Sequence, residues 1–306
     1  MILRGLELAL ITLIALLFFF MQPLVVPSSL QIAPGSSLAS LTAINGFKST
    51  KLDNLALRFF GSVQKGYLKL EPNGALSRLD FLRALCRAKA QEIELTLIPG
   101  ETTQYFFRQI SQQLGLDEGK LNALYAELFE LKEGALWPET YRAIKGIGEK
   151  ALLELLRKES QRRYEALAKE LGQDISSKQW KKHLITASLI QKEAANEQEM
   201  PIVSSVIYNR LEKNMRLQLD GSLNYGLFSH SKITPKRLRE DKSFYNTYLY
   251  DGLPPEPVCN ASAAAIRASV RPEKSPYFYF MRDKKTGLHI FSKSLAEHQR
   301  AVDAQK

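Results

Sequence analysis

An acidic residue on an otherwise apolar helix face is the clearest chemical signal in this sequence. The stretch His183–Met200 has the spacing of a helix that ends before Pro201. Glu193 follows Leu189 by four residues and Ile190 by three, so it shares their face of a 3.6-residue helix. Burial of that face would raise the pKa of the carboxyl and keep it protonated near neutral pH. Donation of a proton to a glycosidic leaving oxygen requires such a protonated carboxyl.

The plainer interpretation of Glu193 is a partly exposed side chain that pairs with a Lys or Arg, and the pattern alone favours it. Glu197 and Glu199 lie farther along, beside Asn196 and Gln198, and predict a solvated helix end. Glu197 is at i+4 from Glu193, where two like charges repel. Spacing alone therefore leaves both interpretations open.

Two downstream segments, Leu217–Gly226 and Phe244–Tyr250, mix aromatic, amide and carboxylate side chains. Flat rings suit the apolar faces of sugars, and amides and hydroxyls suit their ring hydroxyls. The side chains that we expect to line a sugar cleft are Gln218, Asp220, Tyr225, Asn246 and Tyr248. The alternatives are that Asp220 caps a short helix and that Asn246 lies in a turn beside an ordinary core strand.

Composition limits the class of protein. The chain has 306 residues, 45% hydrophobic and 24% charged, which is ordinary for a globular protein and excludes a disordered or fibrous one. Its two cysteines, Cys86 and Cys259, are too few for a disulfide scaffold or a four-cysteine zinc site, and they could pair or stay free. The four histidines lack metal-ligand spacing, so we expect no metal.

The N-terminal segment predicts a membrane anchor. No charged residue occurs from Leu8 to Phe47, and the apolar run from Leu8 to Val26 is near the roughly 20 residues that cross a bilayer core. Arg4 precedes the run and favours a cytoplasmic N-terminus with the rest exported. A cleaved signal peptide is the alternative, although the run is long for one and no A-x-A site follows it. Export excludes most nucleic-acid roles, so the net charge of +10 indicates solubility and weak attraction to anionic envelope polymers.

The remaining chain predicts an α+β fold that is mostly helical. Pro27–Ser40 is rich in Pro, Ser and Gly, which is typical of a linker. The alternation at 93–97 predicts a half-buried strand, and residues 277–292 predict a β-hairpin followed by a last helix. Apolar residues at helical spacing predict helices around 79–86, 106–114 and 152–171.

A set of ordered motifs runs through the C-terminal two-thirds of the chain. The main ones are Ala187–Ala194, Val206–Leu211, Met215–Asp220, Asn224–Gly226, Tyr245–Tyr248, Gly252–Pro255, Pro257–Asn260, Tyr277–Phe280 and His289–Lys293. Upstream, Ile98–Thr103 and Glu133–Tyr141 continue the series. Together these motifs resemble the YceG-like family, the endolytic murein transglycosylases, from about Ile93 to the C-terminus.

The resemblance implies a domain order. Residues 1–27 would be a cytoplasmic N-terminus with a transmembrane signal-anchor, residues 28–92 a small LysM-like α/β subdomain, and residues 93–306 the mostly helical α+β catalytic domain. The expected location is the plasma (inner) membrane, crossed once, with the catalytic domain on the periplasmic or extracytoplasmic side.

The resemblance also assigns the catalytic residue. The last Glu of the family's E-K-E motif maps onto Glu193, whereas the first Glu of that motif is Gln191 here. The family usually has Pro, Gly and Pro-Gly where this chain has Gly221, Glu256 and Ala261-Ser262. These departures concern loop shape and substrate detail rather than the acid.

The implied reaction is lytic. Such enzymes cleave the β-1,4 bond between N-acetylmuramic acid (MurNAc) and N-acetylglucosamine (GlcNAc) without water and leave 1,6-anhydro ends. They need no cofactor. The expected partners are peptidoglycan glycan strands, nascent in wall assembly, and the membrane, with no nucleic acid. Cell-wall synthases would be natural protein partners, although the sequence names none.

Two other functions stay open. A muramidase-type hydrolase would make reducing ends and needs a second carboxylate near Glu193, for which Asp220 is the best candidate. A membrane-anchored glycan-binding scaffold of the wall machinery would bind strands without cleaving them. The scaffold function stays an alternative because Gln191 departs from the family motif.

Overall fold

The computed structural model describes residues 2–32, 47–71 and 74–305. The chain divides into two compact units. The first unit consists of Met1–Glu94 with Arg142–Ile147, and the second of Leu95–Tyr141 with Gly148–Lys306. The fold is mixed α+β, with small sheets of two strands each and about half of the chain in helices.

The first unit begins with a long apolar helix, α1. Its elements are α1 (Ile2–Met21), β1 (Pro23–Val26), β2 (Ser29–Ile32), α2 (Lys51–Phe60), β3 (Gly66–Lys69), β4 (Gly74–Ser77) and α3 (Arg78–Arg87). Strand β1 pairs antiparallel with β4, and β2 pairs antiparallel with β3. Within α1, Leu3–Met21 has a mean hydropathy of 2.1 and is not buried in the protein. A helix of this length and composition fits a membrane anchor and also a signal sequence.

The apolar N-terminal run is divided at Gln22, and this differs from the prediction of one segment to Val26. Leu24 and Val26 alternate with exposed residues in β1 and bury their side chains. The linker prediction for Pro27–Ser40 is wrong at 29–32, because β2 alternates in the same way and buries Leu30. Residues 33–40 lie outside the described residues.

Strands β5 (Glu92–Thr96) and β6 (Thr140–Ile144) form a further two-stranded sheet. Leu95 and Leu97 are buried, which confirms the strand predicted from their alternation. The Leu97 N–H also donates to the Glu139 carbonyl (3.0 Å), just beyond the paired strands.

Helices dominate the second unit. They are α4 (Thr103–Leu114), α5 (Glu118–Leu128), α6 (Glu149–Leu171), α7 (Lys178–Glu193), α8 (Met200–Glu212), α9 (Pro235–Glu240), α10 (Ala263–Val270) and α11 (Leu295–Asp303), with the hairpin β7 (Tyr279–Arg282) and β8 (His289–Ser292) before α11. Helices α4 and α6 end at Leu114 and Leu171, as the apolar spacing predicts, and the glycines that follow, Gly115 and Gly172, adopt the left-handed conformation that closes a helix. The predicted hairpin and last helix are also confirmed, and the Ser294 side chain caps the start of α11.

The core of the second unit surrounds α7. Leu189 and Ile190 are fully buried in the same cluster as Val203 of α8 and Ile266 of α10. The helix face that leads to Glu193 is therefore inside the protein, as its apolar residues predict.

Candidate active site

Glu193 is the last residue of α7. The prediction of one helix continuing to Met200 is wrong, because the chain turns after Glu193 and forms a short 3-10 helix at Glu197–Glu199. The Asn196 side chain caps that turn by accepting a hydrogen bond from the third N–H of the turn (3.0 Å). Asn favours such caps over helix interiors. The acidic side chain thus lies at a helix end, beside loops that can approach it.

An open cavity of about 270 Å³ lies at this helix end. Four of the residues predicted for the site line it, namely Glu193, Gln218, Asp220 and Tyr248. The β7–β8 hairpin also lines the cavity, through Phe280, Met281, Arg282 and His289. The structure therefore joins α7, the loop after α8 and the segment around Tyr248 at one place.

Burial sets the protonation of Glu193. The side chain is half-buried, and Oε1 accepts a hydrogen bond from the Gly221 N–H (2.7 Å). Burial raises the pKa of this carboxyl to about 7. The Gly221 hydrogen bond and the charge of Arg210 lower the pKa, while the charge of Asp220 raises it. Near neutral pH the group therefore exists in both its acid and its base form.

Gly221 can approach Glu193 because it has no side chain. A Cβ at this position would lie 2.5 Å from Lys192 Cβ and 2.9 Å from Glu193 Oε1. Both distances are shorter than real contacts, so any other residue must move the loop. The resemblance predicts a proline at this position, and a proline carries no N–H and could not donate this hydrogen bond.

Asp220 and Tyr248 form a hydrogen-bonded pair at the cavity. Tyr248 Oη donates to Asp220 Oδ1 (2.6 Å), and the Asp220 side chain is exposed. Burial, together with this hydrogen bond to Asp220, raises the pKa of Tyr248. Gln218, in the left-handed region at φ 47°, donates its N–H to the Thr247 carbonyl (3.1 Å) and so holds the two segments together.

Arg210 of α8 fixes two walls of the cavity. Its buried guanidinium donates from Nε to the Phe278 carbonyl and from Nη1 to the Leu217 carbonyl, each at 2.6 Å. These hydrogen bonds hold the hairpin and the loop before Gln218. Arg210 was not predicted as a site residue from the sequence, although it lies in one of the motifs that carry the resemblance.

His289 and Glu199 form a second missed pair. The His289 N–H donates to Glu199 Oε1 (2.8 Å), and His289 Nδ1 lies 2.7 Å from Glu199 Oε2. Although burial acts in the opposite direction, the hydrogen bonds from His289 and from the Ala195 N–H lower the pKa of Glu199. Glu199, predicted as a solvated helix end, instead attaches β8 to the turn after α7.

Two predicted cleft residues do not line the cavity. Tyr225 stacks on Tyr245 with ring centroids 4.4 Å apart. Asn246 is fully buried, and its amide donates to the carbonyls of Leu238 (2.9 Å) and Asp241 (2.7 Å). The Tyr225 ring and the Asn246 amide, which were expected to bind sugar, therefore contact other groups of the protein. The segment around Asn246 is a turn rather than a core strand.

Glu133 is a second carboxyl with a raised pKa, but it is enclosed. It accepts hydrogen bonds from the Thr103 hydroxyl (2.6 Å), the Gly134 N–H (2.9 Å) and Asn260 Nδ2 (3.1 Å). Burial raises its pKa to about 7 against these hydrogen bonds. Since Glu133 does not line the cavity, we assign it to holding its own loop, the start of α4 and the segment at Asn260 together rather than to chemistry.

No group of three or more His, Cys, Asp or Glu side chains within the described residues could hold a metal ion. Cys86 and Cys259 are free thiols, and Cys259 is buried. Within the cavity, Glu193 can transfer a proton near neutral pH because its pKa is about 7.

Burial of Glu193 predicts that the second unit loses stability as the pH rises. The folded pKa of about 7 exceeds the ordinary value of 4.5, so the contribution of this group is full below about pH 4.5 and lost as the pH rises through 7. We expect the wild type to lose about 2 kcal/mol more free energy of unfolding than Glu193→Gln does between about pH 5 and about pH 8.

Urea unfolding of the full chain, followed by the fluorescence of Trp137 and Trp180, measures this difference because both residues lie in the second unit. Glu133 titrates in both proteins and cancels from the comparison. Equal pH dependence in wild type and variant would contradict the burial of the carboxyl.

Comparisons with known proteins show which proteins this chain is similar to. A Bacillus subtilis (strain 168) protein named endolytic murein transglycosylase is 38% identical over 122 residues, which are 40% of this chain and 34% of that protein. A Streptococcus pneumoniae (strain D39) protein of the same name is 32% identical over 183 residues, which are 56% of this chain and 31% of that protein. The chain thus spans about a third of the length of these curated relatives.

A solved structure and a family model are also similar to this chain. The crystal structure of a yceG-like protein from Listeria monocytogenes matches with a TM-score of 0.57 and 27% identity, over 89% of this chain and 98% of that one. The model of the YceG-like family matches residues 30–304. Since this match includes both the cavity and the elements that hold Glu193, the chain belongs to the YceG-like family.

Proposed function

We propose that this chain is a membrane-anchored endolytic peptidoglycan transglycosylase that cuts nascent glycan strands during wall assembly. The observation that carries the proposal is the Glu193 carboxyl, whose pKa burial raises to about 7 in an open, polar cavity. The name endolytic murein transglycosylase, carried by relatives in two bacteria, supports the substrate class. Digestion of purified peptidoglycan tests the proposal, because a lytic cut leaves anhydro ends.

The first step uses the acid form of Glu193. The carboxyl donates its proton to the glycosidic oxygen of the leaving GlcNAc while the bond from that oxygen to C1 of MurNAc breaks. The MurNAc ring passes through an oxocarbenium-like state. A pKa near the working pH favours a group that must be protonated at this stage and ionised at the next.

The second step uses the base form. The Glu193 carboxylate takes the proton of the C6 hydroxyl of the same MurNAc, whose oxygen attacks C1 and closes the 1,6-anhydro ring. The enzyme ends with Glu193 protonated, as it began, and no water is consumed. One carboxyl suffices because the nucleophile belongs to the substrate and is already in place.

The role of Asp220 distinguishes this reaction from the hydrolytic alternative. A retaining hydrolase needs a second carboxylate as nucleophile, about 5–5.5 Å from the acid. Asp220 is exposed and accepts the hydrogen bond of Tyr248, so we assign it an electrostatic role: its charge raises the pKa of Glu193. In the lytic reaction Asp220→Asn should therefore cost less than about tenfold in rate and move the fall in activity at high pH to lower pH.

The pH profile of strand cleavage by Asp220→Asn measures both effects. Tyr248→Phe is the matched control, because it removes the hydrogen bond and keeps the carboxylate. A loss of about 10²–10⁴-fold in Asp220→Asn, with reducing ends in the remaining product, would instead support the hydrolase.

The presence of Gln191, where the family motif has Glu, does not require the scaffold function. Gln191 Oε1 accepts a hydrogen bond from the Ser262 N–H (3.0 Å) and so joins α7 to the start of α10. An amide oxygen does this without charge. The position thus has a positioning role that Gln can fill, and the proposal keeps a single ionisable group, Glu193, for the reaction.

The location and the small unit are further parts of the proposal. We place α1 across the plasma (inner) membrane, with the second unit on the extracytoplasmic side, because α1 is long, apolar and unburied. The LysM-like assignment of residues 28–92 stays a prediction from the resemblance, with an observed element order of β2, α2, β3, β4 and α3. Wall synthases also stay predicted partners.

A further inference from the structure

Helix α2 of the first unit exposes an apolar face. Leu52, Leu55 and Phe59 follow one another at helical spacing, so they share one side of the helix. Their exposed fractions are 37%, 51% and 82%. Contiguous exposed apolar side chains of this size mark an interaction surface.

The rest of α2 prevents this face from turning inward. Asp53 and Leu57, on the opposite side, are buried. Asp53 pairs with the buried Arg78 through two hydrogen bonds of 2.7 Å, and it completes a capping box with Thr50. The buried pair fixes the rotation of α2, because separating it would leave a buried charge unpaired.

The exposed face of α2 continues the surface of α1. Leu16 and Phe20, from the last turns of α1, line a groove of about 380 Å³ together with Leu52, Leu55 and Phe59. This groove lies entirely within the first unit. The apolar face of α2 thus begins where the proposed membrane-spanning helix ends.

The charges around this face suit anionic lipid headgroups. The exposed charged residues of α2 are Lys51 and Arg58, because its acidic residue, Asp53, is buried. Lys48 is exposed just before the helix. An apolar face bordered by basic side chains is typical of helices that lie in the membrane interface.

We propose that α2 is an interfacial helix, with Leu52, Leu55 and Phe59 inserted into the headgroup and upper acyl layer of the bilayer that α1 crosses. The occupant of this surface is a lipid membrane containing anionic lipids. The inference rests on the proposed anchoring by α1. It is independent of the chemistry at Glu193.

Tryptophan quenching by brominated lipids tests this placement in the full chain, reconstituted in vesicles of zwitterionic and anionic lipids. Phe59→Trp reports on α2, Leu10→Trp reports on the middle of α1, and Phe244→Trp is a matched control, since Phe244 is 69% exposed in the second unit. Each signal is compared with the wild type, which contains the background of Trp137 and Trp180.

We expect lipids brominated near the headgroup to quench Phe59→Trp strongly, lipids brominated near the midplane to quench Leu10→Trp, and neither to quench Phe244→Trp. Quenching of Leu10→Trp alone would overturn the inference and leave the anchor standing. Absence of quenching in both Leu10→Trp and Phe59→Trp would overturn the anchor and the inference together. Strand cleavage by the same variants reports separately on the enzymatic proposal.

Discussion

Glu193→Gln should lower the rate of strand cleavage by about 10²–10⁴-fold, the usual contribution of a general acid or base. Gln has nearly the same shape as Glu, and its amide oxygen can still accept the Gly221 N–H that Glu193 Oε1 accepts at 2.7 Å. The cavity therefore keeps its form and loses only the proton that the reaction needs. Release of soluble fragments from purified peptidoglycan measures the rate.

Glu197→Gln is the matched control for this loss. Glu197 lies four residues farther on, is exposed, and does not line the cavity. Its substitution should leave the rate within about twofold of the wild type, because exposed charges at this distance are screened. If Glu193→Gln retained more than about a tenth of the wild-type rate while folded, Glu193 would not be the proton donor.

Gly221→Ala should be the second most damaging change, with a rate loss of about 10–100-fold. The added Cβ would meet Lys192 Cβ at 2.5 Å and Glu193 Oε1 at 2.9 Å, so the loop must retreat and its N–H must leave the carboxylate. Misplacement of about 1 Å at a catalytic group is enough for losses of this size. Because that hydrogen bond lowers the pKa of Glu193, its loss should also move the fall in activity to higher pH.

The pH profile of cleavage separates this positioning role from simple loss of stability, which would lower the rate at all pH values alike. Gly148→Ala is the control, since Gly148 has a negative φ and no atom within 4 Å of an added Cβ. A Gly221→Ala variant with wild-type rate and pH profile would show that the close approach of Gly221 is not required.

Apolar spacing and helix-ending glycines predicted the parts of the fold that depend only on residues nearby in the sequence. The apolar stripe of α6 and the glycine at its end need no distant partner, and both agree with the sequence. The burial of Leu189 and Ile190 beside Glu193 was predictable for the same reason. The choice between an acid and a solvated Glu193 was not, because it depends on the burial of the carboxyl by elements distant in the chain, which raises its pKa.

Residues whose roles depend on distant contacts were predicted least well. Asn246 looked like a sugar-binding amide, but the backbone carbonyls of Leu238 in α9 and of Asp241 just after it satisfy its donors. Glu199 looked solvated, yet it binds His289, 90 positions away in the chain. Helix α7 ends early because Asn196 caps the next turn. The apolar spacing is equally compatible with Asn196 inside a longer helix, so the sequence did not predict this end.

The central claim is that Glu193 acts alone in a reaction that consumes no water. Its most direct test is mass spectrometry of the ends released when the full chain in detergent, and its Glu193→Gln variant, digest purified peptidoglycan. We predict 1,6-anhydroMurNAc ends from the wild type and none from the variant. Reducing MurNAc ends from the wild type would contradict the account and indicate a second carboxylate, whereas binding to the polymer without any cleavage would indicate a scaffold.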